Sequence, residues 1–338
     1  MLKKFLFSLV ALALLTLSAQ GRVVLDSDGK KVEVPDTIER ATPMIGAFVQ
    51  MSAMLGNEER IISGASRLPP LMKKVFPKIR LNDNQSGMLG SSVETLIASN
   101  TQVVFGPVGM GFDDNAMRQL KAAKISVVKI DKFATAEQIK QSLLLIADIF
   151  GAESVKKARE FNAYFDENIN FVKSRTEKIK NKKRILVLNF HSGNYSTISA
   201  FDIGAEYIAM AGGVNLSSEL NAKDFKLSQT MNEEQVLIFD PDIIVTSANE
   251  GAEVIAKNPA FAKFKAVKNK QIFVVPSGVY LWSVRSAEGA LYPLWLAKMF
   301  YPKLFKDLNL EAKVREFYER FYNYKLSESE LKGILSPK

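Results

Sequence analysis

The stretch that decides the fold is residues 135–180, which read TAEQIKQSLLLIADIF-G-AESVKKAREFNAYFDENINFVKSRTEKIK. Apolar residues recur at helical spacing over 135–150, Gly151 interrupts the pattern, and 152–180 resumes it as a second helix. At 1.5 Å per residue the second helix would run roughly 40 Å. We predict a rigid connection between two halves of the chain, because a flexible linker would be rich in glycine, serine or proline. The alternative is an ordinary long surface helix in one large domain.

On both sides of this stretch, segments rich in β-branched and aromatic residues alternate with segments of helical periodicity. Such alternation predicts an α/β fold of two lobes with mostly parallel sheets, joined by the long rigid α-helix. The predicted strands are 60–65, 101–106, 125–130, 184–190, 242–247 and 271–276. The predicted divisions are a signal peptide at 1–21, an N-terminal lobe at 22–134, connecting helices at 135–180 and a C-terminal lobe at 181–338.

The first residues have the pattern of a cleaved secretory signal peptide. Lys3 and Lys4 precede an apolar run over 5–17, and small residues lead to Gly21. The run of about 13 residues is short for a membrane span, which takes about 20, so a permanent anchor is the weaker alternative. The sequence has no cysteine, which excludes a lipid-modified cysteine and disulfides alike. We therefore expect a periplasmic protein that is not a lipoprotein and that begins at Arg22.

The formal net charge is +9, and a positive protein raises the question of nucleic-acid binding. The lysines, however, are scattered and mixed with acidic residues. The one dense basic cluster, 178–184, falls where a helix is expected to end, and the helix dipole favours cations there. We expect a monomer with no nucleic-acid partner.

Several segments, taken in order, resemble those of one protein family. They are 22–35, 41–56, 89–96 and 101–104 in the first half, and 211–215, 231–245 and 276–282 in the second. Their order and spacing resemble the helix-linked (class III, cluster A) periplasmic substrate-binding proteins of iron-siderophore, haem and cobalamin ABC importers. The resemblance covers essentially the whole chain after the signal peptide. It implies a two-lobed receptor that delivers a small molecule to a permease of two transmembrane subunits with its ATPase.

The candidate ligand residues follow from the rule that ligands bind beyond the carboxyl ends of parallel strands. Tyr280, Trp282 and Arg285 follow the last predicted strand and precede an expected helix. A guanidinium and a helix N-terminus both favour an anion, and aromatic rings supply flat contact area. The alternatives are a salt bridge from Arg285 to Glu288 or a neighbouring loop, and packing of Trp282 at the lobe interface. Loops after other strands add Phe48, Arg67, Met110, His191 and Tyr195.

His191 is the only histidine in the chain. A bare zinc or manganese ion ordinarily needs several histidine, cysteine or carboxylate ligands, so proteins that bind the free ion are disfavoured. A metal already held by a chelator, or an oxyanion, remains. His191 or Tyr195 would then complete the coordination of the metal in some cases, and the alternative for His191 is a structural loop residue.

We expect the ligand to be an anionic metal chelate: a ferric siderophore first, a nickel or other metal complex second, and haem or a corrinoid third. A molybdate-type oxyanion is the alternative, since two arginines and a helix N-terminus suit it equally. An enzyme is not expected, because the sequence lacks a GxSxG elbow, a phosphate-binding Walker loop and a cysteine nucleophile. An exported enzyme on this fold is the remote alternative, and no cofactor is expected.

The resemblance also implies how the partner is recognised. In that family one glutamate on each lobe docks into a basic pocket of each permease subunit, and the matching positions here are Glu94 and Glu234. Each is expected to open a helix, so N-terminal capping is the alternative role.

Overall fold

A computed structural model of the chain describes residues 21–63, 69–79, 92–107, 109, 111–220 and 228–337. The fold is α/β, with two lobes that contain mostly parallel sheets and are joined by a long α-helix, as predicted. The predicted signal peptide lies outside the described residues, apart from Gly21.

The N-terminal lobe opens with an antiparallel hairpin of β1 (Arg22–Leu25) and β2 (Lys31–Val34). Its turn contains Gly29, whose positive φ of 78° favours glycine. A three-stranded parallel sheet follows, in the order β3-β4-β5. Its strands are β3 (Ala41–Pro43), β4 (Val103–Gly106) and β5 (Ser126–Lys129). The helices of this lobe are α1 (Gly46–Ser52), α2 (Pro70–Val75), α3 (Val93–Ala98) and α4 (Asp114–Ala122).

The strand predicted at 60–65 is wrong for the part that is described. Residues 58–60 form a 3-10 turn, and Ile61 makes only an isolated bridge to Ala41. Ile61 is fully buried, so its burial accounts for the apolar pattern without a strand.

The connecting segment consists of α5 (Ala136–Phe150) and α6 (Ala152–Thr176), with the break at Gly151 as predicted. Gly151 has a φ of 108°, which side-chain-bearing residues rarely adopt. The 25 residues of α6 correspond to about 38 Å of helix. The helix ends at Thr176, before the predicted Lys180, and residues 177–180 form turns.

Helix α6 packs on both lobes. It contacts α5 and the segment Ala53–Asn57 on one side, and α7 (Ile203–Met210) and α11 (Tyr292–Phe300) on the other. The buried residues of its apolar stripe belong to the main hydrophobic core. They are Ala158, Phe161, Phe165, Ile169 and Val172, with Val155 partly buried beside them. A helix buried against both lobes supports the prediction of a rigid connection.

The C-terminal lobe contains two sheets. The larger one is parallel, in the order β12-β11-β6-β9. Its strands are β6 (Lys183–Val187), β9 (Gly213–Asn215), β11 (Ile243–Thr246) and β12 (Ile272–Val274). The second sheet is antiparallel and was not predicted; it consists of β7 (Asn189–His191), β8 (Asn194–Ile198) and β10 (Ser228–Met231).

The remaining helices of this lobe are α8 (Glu233–Val236), α9 (Asn249–Lys257), α10 (Lys265–Lys268), α12 (Leu310–Tyr322) and α13 (Glu328–Leu335), besides α7 and α11. Helices α12 and α13 also contact the N-terminal lobe. The rings of Tyr322 and Phe76 meet edge to face at 5.1 Å, and Glu330 pairs with Lys74. The two lobes therefore share one continuous core at their base.

Candidate functional site

The loop after β12 was predicted to carry the ligand residues, and it folds back on itself. Ser277 bridges Leu281, and the Trp282 amide donates to the Pro276 carbonyl at 3.2 Å. The Ser277 amide also donates to the carbonyl of Ile334 at 3.1 Å. This loop, 276–285, is called the ligand loop below. Its shape depends on contacts inside the loop and on α13.

Tyr280 and Trp282 point in opposite directions from the ligand loop. Tyr280 is half-buried and lies against Gly46 at the start of α1, where an added Cβ would come within 2.7 Å of the phenol oxygen. Trp282 is fully buried in the core. Its Nε1 has no hydrogen-bond partner among the described residues. Tyr280 thus faces the space between the lobes, while Trp282 has the packing role that was its alternative.

Arg285 forms an ion pair with Asp202, which lies outside the ligand loop. Its Nη2 donates to Asp202 Oδ2 at 3.0 Å, and its guanidinium lies 5.5 Å from the centre of the Phe133 ring. Asp202 also caps α7, because its Oδ1 accepts from the Gly204 amide at 2.8 Å. The expected alternative of a salt bridge thus holds, with Asp202 as the partner instead of Glu288. An anion would compete with Asp202 for this guanidinium.

The helix expected to begin near Ser286 is corrected by the structure. Residues Ala287–Ala290 form a 3-10 turn, and α11 begins only at Tyr292, with Pro293 in its first turn. Proline suits the first turn of a helix because no amide donor is needed there. No α-helix N-terminus therefore faces Arg285 directly after the ligand loop.

Glu288 lies behind the ligand loop with 0% of its surface exposed, and it accepts several hydrogen bonds. The Tyr280 amide donates to its Oε2 at 2.5 Å and the Val279 amide to its Oε1 at 3.3 Å. The Tyr318 hydroxyl also donates to Oε1. From the opposite lobe, Gln50 Nε2 donates to Oε2 at 3.4 Å. Sequence reasoning considered Glu288 only as a partner for Arg285, although an acidic residue in the apolar run AEGALYPLWLAKMF was a signal of burial.

Burial raises the pKa of Glu288 to about 7, although bonds from Tyr318 and from the Tyr280 and Val279 amides lower it. Burial also raises the pKa of Tyr318 and of Tyr322 well above 10, so both neighbouring phenols stay neutral near pH 7.

We predict that Glu288 makes the protein less stable as the pH rises from about 4.5 to about 7. The folded-state pKa lies above the unfolded value, so the contribution is complete below the unfolded pKa and is lost as the pH rises through the folded one. The loss in the free energy of unfolding is on the order of 3 kcal/mol. Urea unfolding across this range should show the decline in the parent and a flatter profile in Glu288→Gln. Equal slopes in both proteins would contradict the assignment.

Phe48 and Tyr195 were predicted to touch the ligand, and the structure places both side chains in hydrophobic cores. Phe48 is fully buried on α1, which begins directly after β3, and packs edge to face on Phe133 at 6.0 Å. Tyr195 lies on β8, and its hydroxyl accepts from Asn258 Nδ2 at 3.0 Å. The sequence predicts loops for both segments. Because they form a helix and a strand instead, the two rings pack into the cores.

His191 ends β7 and is exposed at a tight hairpin turn. It pairs with Asn194 across Ser192 and Gly193, which both have positive φ. A two-residue turn of this kind joins antiparallel strands. Within the described ranges, no three histidine, cysteine, aspartate or glutamate residues cluster as a metal site would require. Arg67 and Met110 lie outside the described residues.

The two predicted docking glutamates occupy equivalent positions in the two lobes. Glu94 follows the N-cap Ser92, and Glu234 follows the N-cap Asn232. Each glutamate is followed, at the same distance along the chain, by a strand of the parallel sheet of its lobe. These strands begin at Val103 and at Ile243. The expectation that each opens a helix is confirmed.

Each of these glutamates has an exposed aliphatic neighbour three residues later. Ile97 is 42% exposed and Leu237 is 45% exposed, whereas Leu96 and Val236 just before them are fully buried. Side chains three residues apart in a helix lie on the same face. Each lobe therefore presents a carboxylate beside an apolar side chain.

A surface cavity of about 960 Å³ lies away from these residues. It is lined by β12, α11 and the chain end, including Asn249, Trp295 and Pro337. It contains none of the predicted ligand residues. The rule that ligands of parallel α/β sheets bind beyond the strand ends predicts a ligand site in the space between the lobes instead. Over the described part of the chain, no helix is long and apolar enough to cross a membrane.

A sequence model of the periplasmic binding protein family matches residues 87–279. The molybdate-binding protein MolA of Haemophilus influenzae is 24% identical over 95% of this chain and 96% of its own length. A periplasmic solute binding protein of Veillonella parvula superposes with a TM-score of 0.78 and 22% identity, over 94% of this chain and 97% of its own. Helicobacter pylori CeuE in complex with nickel and histidine gives a TM-score of 0.70 with 20% identity, over 94% and 99% of the two chains.

Proposed function

The chain belongs to the periplasmic binding protein family, and on that premise we propose that it is the substrate-binding subunit of an ABC importer in the periplasm. The observation that carries the proposal is the pair of parallel sheets held by α6, with Tyr280 of one lobe facing Gly46 of the other. This arrangement gives a fixed cleft at the strand ends, where a small molecule would bind. The protein would deliver that molecule to a membrane permease without chemical change.

We infer that the ligand is a compact anion of the molybdate type. The lobes approach closely at Tyr280 and Gly46, and Gln50 bonds to Glu288 beneath them, which favours a small ligand over a broad one. Arg285 supplies a cation at the edge of the same loop. Similarity to MolA over nearly the full length supports the same class.

An anionic metal chelate is the second candidate, although it ranked first from the sequence. The exposed His191 on its hairpin favours it, since a free imidazole can complete the coordination of a chelated metal. The similarity to CeuE, whose structure contains nickel and histidine, supports a metal complex of that size. The close approach of Tyr280 to Gly46 favours the smaller members of this class over ferric siderophores and haem.

We predict that titration calorimetry with molybdate, sulfate, nickel–histidine, a ferric catecholate and haem will give its tightest binding with molybdate. Calorimetry suits this test because Trp282 is buried and would report a ligand only indirectly. Arg285→Gln should weaken molybdate binding roughly tenfold or more, because a hydrogen bond from a charged donor is lost. Asp202→Asn should strengthen it, because asparagine still caps α7 but no longer competes for the guanidinium.

The panel also decides between the candidates. If a heat of binding is measured only with nickel–histidine or the ferric catecholate, the ligand is an anionic metal chelate and not a molybdate-type anion. Binding of molybdate that is unchanged in Arg285→Gln would remove this arginine from the site.

A further inference from the structure

The carboxylate of Glu288 contacts both sides of the cleft at its base. We propose that Glu288 is a positioning residue, which fixes the ligand loop and docks it onto α1 so that the cleft has its binding geometry before the ligand arrives. The proposal rests on the assignment of the ligand site to this cleft. It gives a role to a buried acidic group that a core of this kind would otherwise exclude.

On the side of the ligand loop, Glu288 satisfies two consecutive amides. Tyr280 N donates to Oε2 at 2.5 Å, and Val279 N lies 3.3 Å from Oε1 and 3.0 Å from the Tyr318 oxygen. Leaving a buried amide without an acceptor is unfavourable, so the backbone at these residues cannot leave the carboxylate freely. The Tyr280 side chain therefore starts from a fixed backbone.

On the opposite side, Gln50 joins the same network from the N-terminal lobe. Its Nε2 donates to Glu288 Oε2 at 3.4 Å and to the Tyr322 hydroxyl at 2.7 Å. Its Oε1 accepts from the Ala287 amide at 2.9 Å. Gln50 is completely buried, so these bonds are not shared with solvent. One amide side chain thus ties α1 to both Glu288 and the residue before it.

These contacts explain why a glutamate is required here. A carboxylate accepts bonds at both oxygens, and the donors reach it from the ligand loop, from α12 and from α1. An apolar side chain of the same size would fill the space but leave the Tyr280 amide and the Tyr318 hydroxyl without this acceptor, and it would leave the Val279 amide with the Tyr318 oxygen alone. Networks of this kind fix a geometry when every member is satisfied.

The experiment measures backbone hydrogen exchange of the ligand-free protein, so its outcome does not depend on the identity of the ligand. In Glu288→Met we expect exchange at Val279 and Tyr280 to rise about tenfold or more, and exchange across α1 to rise with it. Glu288→Gln keeps an acceptor for Tyr280 and should restore most of the protection. Gln50→Leu should loosen α1 and the ligand loop relative to each other while the Tyr280 bond to Glu288 remains.

Glu206→Met is the matched control. Glu206 is a partly buried carboxylate that accepts a backbone bond from Ala136 at 2.7 Å, away from the ligand loop. It should lower the melting temperature without changing exchange in the ligand loop. If Glu288→Met lowers the melting temperature but leaves Val279 and Tyr280 exchange within twofold of the parent, the positioning role is overturned. If the loop loosens and α1 does not, the docking half of the proposal is overturned.

Molybdate titration of the same variants separates this proposal from the proposed function. A parent that binds no member of the ligand panel would refute the ligand assignment, while the exchange data would still decide the role of Glu288. If Glu288→Met does not fold, Gln50→Leu carries the test. Exchange across α1 that stays within twofold of the parent in Gln50→Leu would then overturn the positioning role.

Discussion

Gly278→Ala is expected to lower the free energy of unfolding by about 3 kcal/mol or more. A Cβ at this position would overlap the Tyr318 hydroxyl and the Glu288 Oε1, and it would lie 3.1 Å from the Glu288 Cδ. These atoms belong to buried side chains that already bond to each other and to the Val279 amide, so they have no free space into which to move. Overpacking of the core and loss of buried hydrogen bonds would act together.

Gly333→Ala is the control for this substitution. Gly333 lies in α13, and a Cβ there would meet no atom within 4 Å. Alanine in a helix interior is favoured over glycine, so this change should stabilise the protein by roughly 0.5–1 kcal/mol. Chemical denaturation monitored by circular dichroism measures both. A Gly278→Ala protein within 1 kcal/mol of the parent would mean that the ligand loop adapts more easily than these contacts imply.

The secondary structure was predictable wherever one local pattern controlled it. The helical period of 135–176 and the break at Gly151 are properties of the sequence alone, and α5 and α6 follow them. The parallel strands β4, β5, β11 and β12 lie within predicted segments, and β6 begins one residue before its predicted segment. All residues of β4 and β11 are buried, and such strands are continuous apolar runs. The antiparallel sheet was missed, although Ser192-Gly193 is a turn signal between β7 and β8.

The place of the loop after β12 was predictable from the sequence, but the surroundings of its side chains were not. Tyr280 lies against Gly46 of the other lobe, whereas Trp282 is buried in the core. Those surroundings depend on partners far along the chain, such as the Ile334 carbonyl that receives the Ser277 amide. The same holds for the pairing of Arg285 with Asp202, since no local pattern specifies which carboxylate meets the guanidinium.

The second large effect is expected at the surface, where Glu94→Ala combined with Glu234→Ala should reduce uptake of the ligand roughly tenfold or more, because charge-assisted contacts to the permease are lost. Both carboxylates are exposed, and each has an exposed aliphatic residue on the same face, Ile97 or Leu237. A basic pocket with an apolar rim on each permease subunit would match the carboxylate and the exposed aliphatic side chain of one lobe. Ligand affinity should not change, since both carboxylates are exposed in the first turns of α3 and α8 and neither belongs to the ligand loop.

Capping predicts a different result for the same variants. The pKa of Glu94 is lowered by hydrogen bonds from its own amide and from the Ser92 hydroxyl, so this carboxylate does favour the start of α3. If capping were its whole role, Glu94→Ala would lower the melting temperature and leave uptake per folded molecule unchanged. The Ser92 and Asn232 side chains already accept the amide bonds of Thr95 and Gln235, so we expect the thermal effect to be small.

The matched control is the double variant Glu153→Ala with Glu311→Ala, which removes exposed first-turn glutamates from α6 and α12. It removes the same two negative charges, so a loss specific to Glu94 and Glu234 cannot come from long-range attraction alone. Uptake by cells that express the cognate permease, and stimulation of the permease ATPase in liposomes, measure the effect. If the Glu94 and Glu234 double variant supports uptake as well as the control, docking does not use these residues. Glu233 would be a poor substitute, because its Oε2 already accepts from Asn258 at 2.6 Å.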